Sequence, residues 1–164
     1  MRKNRVARLV LVAAAAQLAF GNAAWAGTCA SPNEKAAFDS RVLQNELMVA
    51  ALTCGESARY NAFVQKFQSE LVVHGKTMKA YFARAYGGRG EHELNQFMTR
   101  LANAATMRRM QMSMHDYCTS AVALFNAATS VEQTQLVSFA SQTTFVGNSG
   151  IESCAVQAAR ETSE

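Results

Sequence analysis

The sequence predicts an all-α protein, an up-and-down antiparallel bundle of about four main helices that two disulfide bonds staple together. Three observations indicate this fold class. Helix-favouring residues are common, and the alternating pattern of strands is scarce. The one proline is Pro32, and the glycines cluster between apolar segments of helical period. Four cysteines, an even number, are typical of the disulfide framework of an exported protein.

The first 26 residues have the layout of a secretory signal peptide. Four basic residues precede an apolar run over residues 9–20, and Ala24-Trp25-Ala26 supplies small residues before a cut at Gly27. The run is too short to cross a bilayer, since a transmembrane helix needs about 20 residues. We therefore expect residues 1–26 to be removed. Residues 27–164 then form a single helical domain with a polar C-terminal tail and no integral membrane segment, located in a bacterial periplasm or secreted.

The first helix has a strong start signal in Ser31-Pro32-Asn33-Glu34. Ser31 caps it, Pro32 occupies the first helical position, and Glu34 completes a capping box. Gly55 ends it as a left-handed C-terminal residue. Its apolar residues form two stripes, so we expect this helix to be buried over a wide arc.

The second helix is expected to run unbroken from near Ser57 to Tyr86. Apolar side chains recur along it in steps of four and three, which is typical of a helix packed against antiparallel neighbours. This series is Tyr60, Val64, Phe67, Leu71, His74, Met78, Tyr81 and Ala85. Within it, His74 is expected to be a hydrogen-bonded core histidine, with a pH switch as the alternative. Gly75 marks either a kink or a close helix crossing, since glycine costs about 1 kcal/mol relative to alanine in a helix.

The third helix begins near Glu91 and Glu93, acids suited to a helix N-terminus. Its apolar series continues to Ala128, but Ser113 followed by Asp116 also caps a fresh helix. One long helix and two nearly collinear helices both remain open. The series is Leu94, Phe97, Leu101, Ala104, Met107, Met110, Met114, Tyr117, Ala121, Leu124 and Ala128.

A shorter fourth helix follows a predicted capping box of Thr129 and Glu132. We expect it to bury Leu136, Phe139 and Ala140. After Phe145 the glycines and polar residues predict a loop, and a last short helix is expected over residues 151–159.

Helix lengths decide between the possible cysteine pairings. Cys29 and Cys54 flank the first helix, whose length of about 33 Å excludes a bond between them. The second helix descends, the third climbs back, and Cys118 returns to the level of Cys54. The fourth helix then carries Cys154 toward Cys29. We predict the pairs Cys54–Cys118 and Cys29–Cys154. The alternative, Cys29–Cys118 with Cys54–Cys154, would need a different path of the helices.

The segment 107–115 is unusually rich in methionine. Because Met107, Met110 and Met114 continue the apolar series of the third helix, the first interpretation is adaptable core filling. The alternative is a copper site, since thioether and imidazole ligands suit Cu(I). Its ligands would be Met110, Met114 and His115.

Charge is distributed unevenly along the chain. The whole sequence has 16 basic and 12 acidic residues, but four of the basic ones lie in the signal peptide, so the remainder is close to neutral. This balance argues against nucleic-acid binding. A basic stretch between residues 76 and 109 is interpreted first as solvated helix faces, with a surface for an acidic partner or membrane headgroups as the alternative; in that case it is the predicted partner face. Its candidate residues are Lys76, Lys79, Arg84, Arg108 and Arg109.

No catalytic motif or cofactor signature stands out, so no catalytic residue and no cofactor are predicted. The sequence favours a non-catalytic binding module over an enzyme. Its expected partner is another exported or envelope protein. The alternative function is periplasmic copper handling or stress protection through the segment 107–115.

Overall fold

The computed structural model describes residues 29–144 and 149–161. This part of the chain consists of helices joined by short turns, so the predicted all-α class is confirmed. No helix in these ranges is long and apolar enough to span a bilayer. The predicted signal peptide and most of the predicted loop after Phe145 lie outside the described residues. The helices are α1 (Pro32–Cys54), α2 (Ser57–Lys66), α3 (Gln68–Tyr86), α4 (Gly90–Met110), α5 (Met114–Ser130), α6 (Leu136–Ser141) and α7 (Cys154–Glu161), with 3₁₀ turns at Gly87–Arg89 and Gln133–Gln135.

Helix α1 is the central element, and α2, α3, α4, α5 and α6 all contact it. Its predicted start is confirmed, because the Ser31 hydroxyl accepts from the Glu34 amide at 3.4 Å and the Glu34 carboxylate accepts from the Ser31 amide at 2.8 Å. Gly55 ends the helix with a φ of 74°, a left-handed conformation that glycine adopts without strain. Both ends of α1 are therefore capped, and the contacts with five other helices make it the centre of the bundle.

The prediction of an unbroken second helix is wrong, because this helix is interrupted at Phe67 and forms α2 and α3. The Lys66 carbonyl accepts a hydrogen bond from the Gln133 side-chain amide. The Lys66 ammonium in turn donates to the Thr129 carbonyl at 2.8 Å. A side chain that takes a helical carbonyl disturbs the ladder of main-chain hydrogen bonds. A contact across 67 residues of sequence therefore breaks this helix, rather than a local glycine or proline.

The open question about the third helix is settled in favour of two helices. Ser113 has extended backbone angles, and its hydroxyl accepts from the Asp116 amide at 3.1 Å, which caps α5. Residues 111–113 separate α4 from α5. The methionine segment therefore lies on a corner between two helices, not along one rod.

The predicted cap at Thr129 is wrong. Helix α5 continues through Ser130, and the Thr129 hydroxyl donates back to the Phe125 carbonyl at 2.8 Å. The capping box begins three residues later, where the Glu132 amide donates to the Gln135 side chain at 3.1 Å. Leu136 and Ala140 of α6 are buried as expected, and Phe139 is partly buried.

Both predicted disulfide bonds are confirmed. Cys29 and Cys154 bring the two ends of the described chain together, with their Cα atoms 4.9 Å apart. Cys54 and Cys118 join the end of α1 to the first turns of α5, with a Cα separation of 5.6 Å. The helix-length argument therefore gives the right pairing, even though the second and third predicted helices are each divided.

The buried side chains form two clusters along α1. One cluster surrounds Phe38 and holds side chains of α3 and α4. The other surrounds Leu47 and holds side chains of α2, α5 and α6. Each disulfide lies beside one cluster, so each end of the bundle has its own core and its own crosslink.

Candidate functional site

Four of the eight exposed large apolar side chains of the described residues lie at the corner between α4 and α5. Its four methionines expose between 44 and 64 % of their surface. We call this surface the methionine end, defined as Met107, Met110, Met112 and Met114. Exposed methionines are flexible and polarizable, which suits them to contact with varied apolar partners. Clustered exposure of this kind marks interaction sites on folded proteins.

The prediction that Met107, Met110 and Met114 fill the core is wrong. Apart from Gly90 at its start, the buried residues of α4 are Phe97, Leu101 and Ala105, which keep to one stripe. The expected series reaches Met110 from Ala104 by two steps of three residues. Each such step rotates about 60° off the stripe in a helix of 3.6 residues per turn. Met107 and Met110 therefore turn outward, and Met114 lies in the first turn of α5 at the edge of the bundle.

The two residues Met114 and His115 line a shallow hollow on α5. The Arg109 guanidinium donates to the Met114 sulfur at 3.5 Å, and that sulfur lies 3.9 Å from the disulfide-bonded Cys118 sulfur. Met110 is at the end of α4, across the corner from this hollow. Of the three predicted copper ligands, the structure thus places two on one concave surface. The described residues contain no group of three or more His, Cys, Asp or Glu side chains suited to a metal ion.

A groove of about 320 Å³ begins at Met112 and extends between α1 and α5. Its apolar walls include Ala50, Ala121 and Leu124. Glu46 and Arg108 form an ion pair at its edge, although Glu46 is almost fully buried. Either charge would be costly to bury alone, so each side chain of the pair stabilises the buried position of the other.

Two polar atoms beside the groove have no hydrogen-bond partner. These are the Tyr117 hydroxyl and Nε of Arg108. Burial raises the pKa of Tyr117, and the nearby charges of Arg109 and Arg108 only partly oppose this effect. Burial also lowers the pKa of Arg108. A buried donor without a partner costs free energy, and similar unpartnered polar atoms also lie elsewhere in the described residues, at Ser40, Gln44, Asn45 and His74.

The predicted basic face is divided between different parts of the bundle. Arg84 pairs with Glu34 at 2.9 Å near one end. Arg108 pairs with Glu46 near the other end, about 27 Å along α4 from its start. Lys76 and Lys79 are exposed on α3 between these ends. Among the five residues, Arg109 contacts the methionine end through its hydrogen bond to the Met114 sulfur.

His74 is not the fully hydrogen-bonded core residue that the sequence predicts. It is partly buried, and its Nδ1 atom has no partner. Burial lowers the pKa of His74, Glu70 opposes this effect, and Arg41 adds to it. Helix α3 continues through Gly75, where a Cβ atom would lie 3.4 Å from the Arg41 guanidinium, an ordinary van der Waals distance. No backbone atom of another helix lies within 4 Å of that position, so the structure does not support a close helix crossing at Gly75.

Sequence reasoning missed the groove and the Glu46–Arg108 pair. The one available signal was the charged residue Glu46 between the apolar positions Leu43, Leu47 and Ala50 of α1. A charge in such a position needs a partner from another element, and the sequence does not say which one.

No protein-family model, no curated protein and no solved structure matches this chain. The class of protein is therefore defined by the structure itself: an all-α bundle with two disulfide bonds and an exposed, methionine-rich corner.

Proposed function

We propose that this protein is an exported, non-catalytic binding module, and that it holds an apolar segment of another polypeptide at the methionine end and the adjoining groove. The observation that carries the proposal is the exposure of four methionines within eight residues, with one of them, Met112, lining the groove. A folded domain that leaves so much apolar surface in water gains by covering it.

The shape of the surface favours a polypeptide segment as the occupant. The groove is open to solvent and is lined by Met112, so it adjoins the methionine end. Amphipathic segments insert successive apolar side chains into surfaces of this kind. Arg109 supplies a positive charge beside Met114, which suits a partner that carries acidic residues next to its apolar ones.

Export is supported by two features of the chain. The first 26 residues have signal-peptide character, and all four cysteines of the described residues are paired. Disulfide bonds persist in oxidising compartments. We expect cell fractionation to recover the processed chain outside the cytoplasm with no thiol open to alkylation. A full-length cytoplasmic product with reduced cysteines would contradict export.

The binding proposal is tested with an apolar fluorescent dye such as anilinonaphthalene sulfonate. We expect the dye to brighten on the wild type and to lose most of this signal with the double substitution Met110→Gln and Met112→Gln. The matched control replaces Val72 and Val73 by glutamine, since these exposed apolar residues lie on α3 away from the corner. Equal dye binding by the wild type and the Met110/Met112 variant would refute the proposal.

Copper handling is the second candidate function. It is favoured by the placement of Met114 and His115 on one hollow, with sulfur and imidazole ligands that suit Cu(I). Arg109 weakens this candidate, because its positive charge lies against the Met114 sulfur. We expect that Cu(I) competition with a chelator decides the matter. Cu(I) binding that disappears in the double variant Met114→Leu and His115→Asn would favour this second candidate. A wild-type protein that takes no more Cu(I) from the chelator than buffer does would exclude it.

A further inference from the structure

Oxidisable sulfur is concentrated at the methionine end. Among the other methionines of the described residues, Met78 is buried, and Met48 and Met98 are partly buried. The four methionines of the corner each expose at least 44 % of their surface. Because oxidants attack accessible thioethers first, the fold divides its methionines into a protected set and an open set.

We propose that the methionine end is a site of reversible oxidation to methionine sulfoxide, and that this modification switches off its apolar binding. The site of oxidation follows from exposure alone. The effect on binding rests on the function proposed above. The oxidant is a peroxide or hypochlorous acid, which an exported protein meets outside the reducing cytoplasm. The reductant for the reverse step is a thiol, used by a methionine sulfoxide reductase, which supplies two electrons as the sulfoxide oxygen leaves as water.

The chemistry needs no group from the protein beyond the thioether. With hydrogen peroxide, a sulfur lone pair attacks one peroxide oxygen, the O–O bond breaks, and the S–O bond forms. The second oxygen leaves as hydroxide, which takes the proton of the transferred hydroxyl group and becomes water. The sulfur loses two electrons and the peroxide gains them, so the products are one sulfoxide and one water.

The four sulfur atoms differ in their surroundings. Met110 and Met107 are the most exposed of the set. The Met114 sulfur accepts a hydrogen bond from Arg109 and lies against the Cys118 sulfur. A lone pair that is engaged by a cationic donor is a weaker nucleophile. We therefore expect Met110 and Met107 to react before Met114, and Met78 to react last.

The modification changes the surface and leaves the core intact. A sulfoxide is polar, so an oxidised Met112 or Met110 places a strong hydrogen-bond acceptor where an apolar partner would pack. The buried clusters contain no methionine of the corner. Oxidation is therefore expected to abolish apolar binding while the helix content and the melting temperature stay close to those of the untreated protein.

The experiment treats the processed, disulfide-bonded chain with a limiting amount of hydrogen peroxide and maps the products by mass spectrometry. We expect sulfoxide at Met107 and Met110 before Met48 or Met98, and none at Met78 while the fold persists. Dye binding is measured on the same samples, before and after treatment with methionine sulfoxide reductases. The matched control replaces Met107, Met110, Met112 and Met114 by leucine, which keeps the surface apolar and removes its sulfur.

The outcomes separate the two proposals. Dye binding that falls at least several-fold on oxidation, returns on reduction, and is peroxide-resistant in the leucine variant supports the switch. Uniform oxidation of all methionines, or an oxidised corner that still binds dye like the untreated protein, overturns it. If the untreated wild type and the leucine variant both fail to bind dye, the proposed function fails instead, whatever the oxidation pattern shows.

Discussion

The two ends of the bundle are built by different means. The aromatic end, defined as Phe38, Tyr81, Phe82 and Phe97, packs fully buried rings whose centroids lie 4.9 to 6.0 Å apart. Most of these contacts are edge-to-face, the arrangement that aromatic rings prefer. The methionine end presents flexible thioethers to solvent beside a groove.

The polar groups show the same contrast. At the aromatic end, Glu34 caps α1 and also pairs with Arg84. Burial alone would raise the pKa of Glu34, but the hydrogen bonds from Ser31 and Arg84 outweigh it and hold the pKa below its usual value. At the methionine end, Arg108 pairs with Glu46 while its own Nε stays unpaired. The comparison shows that apolar side chains are fully buried at the aromatic end, whereas the methionine end keeps four of them exposed to solvent.

The largest expected effect is at the aromatic end. Phe38→Ala removes a ring that contacts Tyr81, Phe82 and Phe97, so we expect the free energy of unfolding to fall by about 3–5 kcal/mol. Urea denaturation measures this change. The matched control is Met110→Ala, which should change stability by less than about 0.5 kcal/mol. Similar losses for the two variants would contradict the division between the ends.

The second test concerns the ion pair beside the groove. Glu46→Gln leaves Arg108 without its acid partner, and we expect a loss of about 1–3 kcal/mol at neutral pH, since Arg108 is partly exposed. The exposed ion pair of Arg160 and Glu152 supplies the control, because Glu152→Gln should change stability by well under 1 kcal/mol. A Glu46 variant as stable as the wild type would show that this pair contributes nothing.

A smaller effect is expected from His74, which lies between the two ends. An unfolded histidine has a pKa of about 6.5, and burial lowers the pKa of His74 in the folded state. The unfolded chain therefore takes up the proton first, and stability falls as the pH drops through about 6.5. Thermal unfolding between pH 7 and pH 5 should show this slope in the wild type.

The control for this slope uses a second histidine. His74→Asn should flatten the fall in stability between pH 7 and pH 5, whereas His92→Asn, at an exposed position of α4, should preserve it. A slope that is unchanged by His74→Asn would assign the pH dependence to other groups.

The smallest effect is predicted for Tyr117→Phe. The Tyr117 hydroxyl is buried without a partner, so its removal should leave stability unchanged within about 0.5 kcal/mol or raise it slightly. Tyr117→Ala should instead destabilise the protein markedly, because the ring packs in the core around Leu47. A Tyr117→Phe variant that loses more than 1 kcal/mol would mean that the hydroxyl has a hydrogen bond in solution.

Features that depend on neighbouring residues were predictable from the sequence. Ser31 and Glu34 lie three residues apart, so their capping box could be predicted directly. The disulfide pairing followed from helix lengths, because a rigid rod keeps its two ends apart. The break at Phe67 was not predictable, since it depends on Gln133, which the fold brings to Lys66 from far along the chain.

The sequence predicted where the candidate site lies along the chain, but not that its methionines are exposed or that a groove adjoins them. The methionine segment stood out by composition, but its exposure depends on the helical phase of α4 and on the corner at Ser113. Steps of three residues looked like a continuing apolar stripe, although they rotate away from it. The groove required the packing of α1 against α5 and was beyond any pattern in the sequence.

The central claim is that the methionine end binds apolar polypeptide. Nuclear magnetic resonance of the chain labelled at its methionine methyl groups tests it directly, with a leucine- and glutamate-containing amphipathic peptide as the titrant. We predict saturable shifts of the Met107, Met110, Met112 and Met114 signals, while the Met78 signal at the aromatic end stays in place. Shifts confined to the other methionines, or no shift at millimolar peptide, would contradict the claim.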